Sequence, residues 1–379
     1  MTLPALLALA SLAALLAIWF GYPLLVWAAA RIFPARLYAG AIERNQSVSV
    51  IIATRDHAAT VRRRIDNLLS TDHPAHLLQV VVALDADGAQ AAAHDLHGVD
   101  DRVRVVIGDQ PGGKAAALNA GVRAATGDIL VLADAAQRYD ARTIPELVAA
   151  LSDSRFAAVS GALELGGHEQ RRRSPVDLYW AMEKWLRHNE ALVHSSVGVT
   201  GAVYATRRAL WPIVPASTLL DDVFVPMSLV LAGHRVGFTY DARAFDGRTF
   251  DSTNEGVRKT RTLTGVLQLR QLLPDIMSPR RNPIWAQFVA HKLLRLLTPL
   301  LAAVFALSTL VLVAQFSWQA TAMQRGAILG AIVVLFVWPP TRRRLVALVR
   351  WGVSLQIATT RALVNGVSGR WSVWNKTRS

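Results

Sequence analysis

The chain has 379 residues, 52 % of them hydrophobic, a formal net charge of +14 and no cysteine. That length accommodates one sizeable α/β core together with membrane segments, and the missing thiols exclude disulfides and cysteine-ligated metal centres. The positive charge, with the clusters Arg62 to Arg64 and Arg171 to Arg173, would suit a nucleic-acid surface, but the apolar segments below supply a simpler cause and no nucleic-acid partner is expected.

Residues 3 to 30 (LPALLALASLAALLAIWFGYPLLVWAAA) carry no charge, enough for a helix that crosses a hydrocarbon layer about 30 Å thick. A cleaved signal peptide fits less well, because the stretch lacks a basic n-region and ends in aromatic and basic residues rather than a small-residue cleavage site. From Ser47 the pattern changes to short apolar runs separated by helical stretches. VSVIIAT (48 to 54), QVVVALD (79 to 85), RVRVVIG (102 to 108) and DILVLAD (128 to 134) read as buried strands. TVRRRIDNLLS places Val61, Ile65 and Leu68 on one helical face, and ALNAGVRAA reads as a further helix. Strands alternating with helices predict an α/β domain, over residues 47–285, with a mostly parallel, Rossmann-like sheet. Ligands bind beyond the carboxyl ends of such strands, where Asp85 and Asp134 stand. GDQPGGKA (108 to 115) nearly spells a phosphate-binding P-loop, but Ala115 occupies the position that needs a magnesium-holding hydroxyl.

A second apolar region, residues 290–341, predicts a membrane hairpin, with spans from Leu293 to Phe316 and from Gly326 to Pro340. Residues 345–368 contain Arg350 and Arg361 in an apolar stretch, costly at a bilayer centre, so an interfacial amphipathic helix is expected, with a fourth span as the alternative. Residues 369–379 form a tail. Arg31, Arg36, Arg280, Arg281, Lys292, Arg295 and Arg342 to Arg344 flank the inward membrane ends. The positive-inside rule then places the middle region in the cytoplasm, and lipid headgroups or an anionic substrate account for the basic surface.

The order of motifs over residues 47–300 resembles the family 2 glycosyltransferases of GT-A fold, and especially the bacterial membrane branch related to cellulose, chitin, hyaluronan and poly-N-acetylglucosamine synthases. VSVIIATRDH looks like the opening strand, LDADG (84 to 88) like the acidic motif that contacts uracil, and GGKAAALNAG (112 to 121) like the Gly-Lys-Ala-x-Ala-Leu-Asn-x-Gly segment. VTGAVYATRRAL (199 to 210) looks like the acceptor-side strand and helix, LLDDVFVP (219 to 226) like the segment bearing the catalytic base, and EGVRKTRTLTGVLQL (255 to 269) takes the place of Q-x-x-R-W.

The resemblance implies a transfer of a hexose or N-acetylhexosamine from a UDP-sugar, with inversion, onto a lipid or glycan acceptor at a bacterial cytoplasmic membrane. It implies Asp222 as catalytic base and Gly201 and Asp221 on the acceptor side. Thr54, Asp85, Asp87, Lys114, Asp134, Arg258 and Arg261 are implied at the nucleotide-sugar. Displacing a diphosphate needs charge stabilisation on the leaving group and deprotonation of the attacking hydroxyl; Mg2+ or Mn2+, held by Asp134 at the first position of D-x-D, would serve the first need. The second position of that motif is Ala136, and Thr262 stands where Q-x-x-R-W has tryptophan. A catalytically weakened relative that binds sugar nucleotide or a partner synthase is the alternative; a transporter or scaffold would need more spans.

Overall fold

A computed structural model describes residues 1–35, 46–86, 89–166, 175–247, 252–319 and 339–371, with Thr321 and Gln324. The chain divides into two compact bodies, one of Val26–Phe250 with Gly265–Phe288, the other of Met1–Leu25, Asp251–Thr264 and Val289–Ser379.

The first body is built on a sheet that has, among the described residues, eight strands in the order β3-β2-β1-β4-β7-β6-β8-β5. Its first half is the predicted one: β1 (Val48–Thr54), β2 (Leu78–Leu84), β3 (Val103–Ile107) and β4 (Ile129–Ala133) run parallel, with Thr54 opposite Leu84 and Ile52 opposite Ala133. Continuous apolar runs suit strands covered on both faces, and β1, β2 and β4 are buried almost throughout. The helix α2 (Ala58–Leu69) covers the sheet with Val61, Ile65 and Leu68, all fully buried as their spacing requires. Between β2 and β3 runs α3 (Ala89–Leu96). The alanine-rich α4 (Lys114–Ala124) approaches so closely that a Cβ on Gly121 would stand 2.8 Å from Ile51 Cγ2, so only glycine fits.

The other half is mixed rather than parallel. Strand β7 (Val203–Arg207) pairs antiparallel with β4 and with β6 (Phe156–Leu165), β6 pairs parallel with β8 (Arg235–Asp246), and the short β5 (Arg138–Tyr139) closes the edge antiparallel to β8. The helices α5 (Thr143–Leu151), α6 (Pro175–Val193) and α7 (Asp221–Leu231) connect these strands. Because β7 runs against β4, its first residue Val203 lies opposite Ala133. The start of β7 therefore meets the ligand-facing end of β4.

The arginine cluster of α2 is not a uniform surface patch. Arg64 is 2 % exposed and lies over the Tyr139 ring at 4.0 Å, where burial lowers its pKa against the raising effect of Tyr139 and Asp134. Residues 171–173 lie outside the described residues.

In the second body, α1 (Leu3–Ile32) contributes its stretch up to Leu25 and packs along α9 (Thr298–Gln319). Trp19 Nε1 donates to Thr298 Oγ1 at 3.2 Å, and the Arg295 guanidinium lies 4.7 Å from the Trp19 ring. Among the described residues, Leu3–Ile32 and Trp285–Phe316 are long and apolar enough to cross a membrane, and leucines such as Leu3, Leu24, Leu300 and Leu310 are exposed along them. The expected span from Gly326 falls mostly outside the described residues. The helix α10 (Pro339–Val367) begins before the expected residue 345 and exposes Val346, Val349, Val353 and Ile357, an apolar stripe at helical spacing.

Candidate active site

At the ends of the parallel strands the chain places its acids. Asp85 follows β2, where its backbone N–H donates to Thr54 O at 2.9 Å, and its carboxylate is 5 % exposed. That carboxylate accepts from Gly113 N at 2.8 Å and from Arg55 Nη2 at 2.6 Å. Gly112 passes so near that a Cβ there would stand 2.9 Å from Asp85 Oδ1, and Gly112 and Gly113 hold φ of +87° and +96°. The glycine turn is thus fitted around a carboxylate rather than around a P-loop phosphate. Thr54 Oγ1 accepts from Asp56 N at 3.0 Å, which fixes the turn after β1. Asp87 lies outside the described residues.

Lys114, the first residue of α4, is the centre of the cluster. Its Nζ lies 3.3 Å from Asp134 Oδ1 and 3.3 Å from Asp221 Oδ2. Burial works to lower its pKa, but Asp134, Asp221 and Asp222 outweigh burial and hold it above the ordinary lysine value. The ammonium therefore stays charged at every physiological pH. Asp134 closes β4, whereas Asp221 and Asp222 open α7, so one cation joins the two halves of the sheet. Gly201 faces the same point: a Cβ on it would meet Asp222 Cβ at 3.5 Å and Lys114 Nζ at 3.9 Å. Asp222 is anchored through its backbone, where its carbonyl accepts from Val199 N at 2.9 Å.

Several positioning groups carry no motif. Asn119 donates through Nδ2 to Val214 O at 2.7 Å and accepts from Val214 N at 3.1 Å. Gln268 on α8 (Ser252–Leu272) donates to Ser217 O at 2.8 Å and accepts from Leu219 N at 3.0 Å, which holds the approach to Asp221. The Tyr139 hydroxyl lies 3.1 Å from Leu132 O and 2.9 Å from Ala202 O, its single proton serving one carbonyl at a time. Tyr204, fully buried on β7, has no hydrogen-bond partner for its hydroxyl among the described residues. Burial raises its pKa and the carboxylates of Asp221, Asp222 and Asp134 raise it further, so it remains a neutral phenol beside them.

The structure thus brings together Asp134, Lys114, Gly201, Asp221 and Asp222, with Thr54 and Asp85 at the neighbouring strand ends. Arg258 and Arg261 lie on the part of α8 that belongs to the second body, whereas the cluster is built wholly from the first. Ala136 is exposed two residues after Asp134, and no group of three or more histidine, aspartate or glutamate side chains is set to hold a metal among the described residues. One carboxylate still suffices for a magnesium-type ion that takes its other ligands from substrate phosphates and water. Asp134 fits that limited role.

Residues 49–211 match the model of glycosyl transferase family 2. No curated protein matches the chain. Among solved structures it is similar to a mannosyltransferase, PcManGT from Pyrobaculum calidifontis, solved in complex with GDP-Man and Mn2+, at 22 % identity and a TM-score of 0.66, over 96 % of this chain and 99 % of that one. At that identity the likeness speaks for the fold, and it agrees with the sheet described above.

Proposed function

The chain carries a family 2 glycosyltransferase domain, and from that premise we propose that it transfers a hexose or N-acetylhexosamine from a UDP-sugar, with inversion, to a lipid or polysaccharide acceptor at a membrane. The observation that carries this reading is the Lys114 ammonium held at 3.3 Å from both Asp134 and Asp221. A fixed cation between a strand-end acid and the acids of α7 suits a reaction in which a diphosphate leaves on one side and a hydroxyl attacks on the other.

Asp222 takes the proton from the acceptor hydroxyl as its oxygen bonds to the anomeric carbon. The bond from that carbon to the diphosphate oxygen breaks on the opposite face, which inverts the configuration. Gly201 leaves the face of Asp222 open to the acceptor, since any side chain there would fill the space toward Asp222 and Lys114. Asp221 stays paired to Lys114, and Lys114 faces the departing charge. Thr54 and Asp85 flank the nucleotide end. Mg2+ or Mn2+ bound at Asp134 would supply additional neutralisation of the diphosphate.

Nucleotide release from a panel of UDP-sugars and GDP-mannose, by purified membranes with and without manganese, tests the reading. Release from UDP-sugars with lipid or glycan acceptor present is expected. Release from GDP-mannose alone, the donor in the structural neighbour's complex, would replace the base, and no release from any donor would favour a binding subunit, to which Ala136 already inclines.

The reading places the domain on the cytoplasmic side of a bacterial inner membrane, supported by the two apolar helices and their basic flanks. Ser154 and Ser217 are exposed. Single cysteines there should resist a membrane-impermeant thiol reagent applied to intact cells; labelling would overturn the topology.

A further inference from the structure

A cavity of about 600 Å³ lies in the first body, apart from the acidic cluster. One wall is the end of α1 and the residues after it, Ala30 to Ala35, and the other is α6 and β8. Ala35 N donates to Leu192 O at 2.7 Å, so the segment leaving α1 is tied to the end of α6.

The cavity's walls differ in chemistry. On the β8 side stand three rings in mutual contact: His188 and Tyr240 with centroids 5.0 Å apart, Phe238 and Tyr240 at 5.0 Å, and His188 and Phe238 at 6.0 Å. Tyr240 is 38 % exposed, so one edge of this platform is open. Around it lie polar groups: Asn189, Asp241, Arg31 and the His188 ring, whose buried Nδ1 has no hydrogen-bond partner among the described residues. Burial lowers the His188 pKa, so at neutral pH its ring is an uncharged donor and acceptor. An aromatic platform bordered by planar polar side chains matches a pyranose, which offers an apolar C–H face and a rim of hydroxyls. Asp241 accepts hydroxyl hydrogen bonds but repels a phosphate.

On the α1 side, Ile32 and Phe33 are 67 % and 77 % exposed directly after the apolar helix, and Arg31 lies 4.8 Å from the Trp27 ring. Exposed apolar residues beside an arginine and a tryptophan are the composition of a membrane–water boundary. A sugar reaching this cavity from a bilayer would arrive attached to a lipid.

The cavity is also coupled to the acceptor side of the cluster. Phe238 lies opposite Ser160 in register, Ser160 Oγ accepts from Thr200 N at 2.9 Å, and Arg187, next to His188, donates to Thr200 Oγ1 at 3.2 Å. Thr200 precedes Gly201, which faces Asp222.

We propose that this cavity receives a sugar of a glycosylated lipid, a further part of whose glycan brings the attacking hydroxyl to Asp222, which makes a glycolipid rather than a lipid phosphate the acceptor class; the acceptor role rests on the transferase reading above. The sugar stacks on Tyr240, Asp241 and His188 bind its hydroxyls, and the lipid chain leaves past Ile32 and Phe33.

The test uses the full chain in phosphatidylcholine nanodiscs, titrated with hexyl β-glucoside and, separately, hexyl phosphate, probes that share a tail and differ in headgroup. Binding is read by saturation-transfer NMR against empty nanodiscs, and UDP affinity is measured by calorimetry on the same samples. Hexyl glucoside should bind, Tyr240→Ala should weaken it about tenfold and Tyr240→Phe by no more than about threefold, as loss and retention of one ring contact imply. Asp241→Asn should weaken the glucoside and leave UDP affinity unchanged. Glucoside binding that is absent or indifferent to Tyr240→Ala would overturn the proposal, as would tighter binding of hexyl phosphate abolished by Arg31→Gln, which would mark a lipid-phosphate site. Sensitivity of the glucoside to Tyr240→Ala in a chain that binds no nucleotide would leave the sugar site standing and remove its acceptor role.

Discussion

The parallel and mixed halves of the sheet hold their acids by different means. On the parallel side, Asp85 and Asp134 directly follow strands whose register fixes them, and Asp85 accepts from a backbone N–H and a guanidinium. On the mixed side, Asp221 and Asp222 begin a helix entered through residues 211–220, a stretch held by side chains from elsewhere, Asn119 from α4 and Gln268 from α8. The end proposed for the donor is thus set by local chain geometry, while the end proposed for the acceptor depends on remote clamps. Damage to the mixed side should therefore appear in turnover, and damage to the parallel side in nucleotide affinity.

The largest effect expected is that of Asp222→Asn, which keeps shape and removes basicity. Loss of a positioned general base costs roughly 10²- to 10⁴-fold in rate, and UDP affinity measured by calorimetry should hardly change. Parent-like turnover would reassign the base, with Asp221 next in line. Asp134→Asn reverses the pattern: UDP binding with manganese should weaken roughly tenfold to a hundredfold, the range for losing a charged partner of about 1.5–3 kcal/mol. In the same titration Ala136→Asp should sharpen the manganese dependence, and indifference of parent and both variants to metal would remove Asp134 from that role.

Gln268→Ala addresses the clamps themselves. It strips Leu219 N and Ser217 O of their partner, a cost of about 1–3 kcal/mol, and should lower turnover about tenfold with UDP affinity retained; equal losses in both would show that the two halves respond as one. The smallest effect is expected of Gly112→Ala, which meets Asp85 Oδ1 at 2.9 Å with φ at +87°. Left-handed backbone costs a residue with a side chain about 1–2 kcal/mol, so a drop in melting temperature with a several-fold weaker UDP affinity is the expected result, and an unchanged turnover at saturating donor would confirm the division.

Much of the parallel half was legible in the sequence because its strands are continuous apolar runs ending in acids, and because Gly112, Gly113 and Lys114 form a local pattern. In the mixed half only β7 was legible, through the resemblance of residues 199 to 210 to an acceptor-side strand; β5, β6 and β8 were not. β6 is rich in alanine and glycine rather than β-branched residues, and its pairing with β8 shifts register on either side of Ser160, which breaks a simple alternation. Nor could spacing reveal Gln268 or Tyr139, whose partners, Leu132 apart, lie 49 to 72 residues away. Arg64 misled in the other direction. A basic triplet reads as a wet surface, yet one member is buried against an aromatic ring that only the folded chain supplies.

The Tyr139 hydroxyl sits between Leu132 O, two residues before Asp134, and Ala202 O, one residue after Gly201. With one proton, the hydroxyl bonds one of these carbonyls at a time, while the β4–β7 ladder itself ties the amides at the end of β4 to those at the start of β7. In hydrogen exchange they should behave as one slowly opening unit, and Tyr139→Phe should speed its opening without splitting it. On the proposed roles, the strand end assigned to the donor would then loosen together with the one assigned to the acceptor.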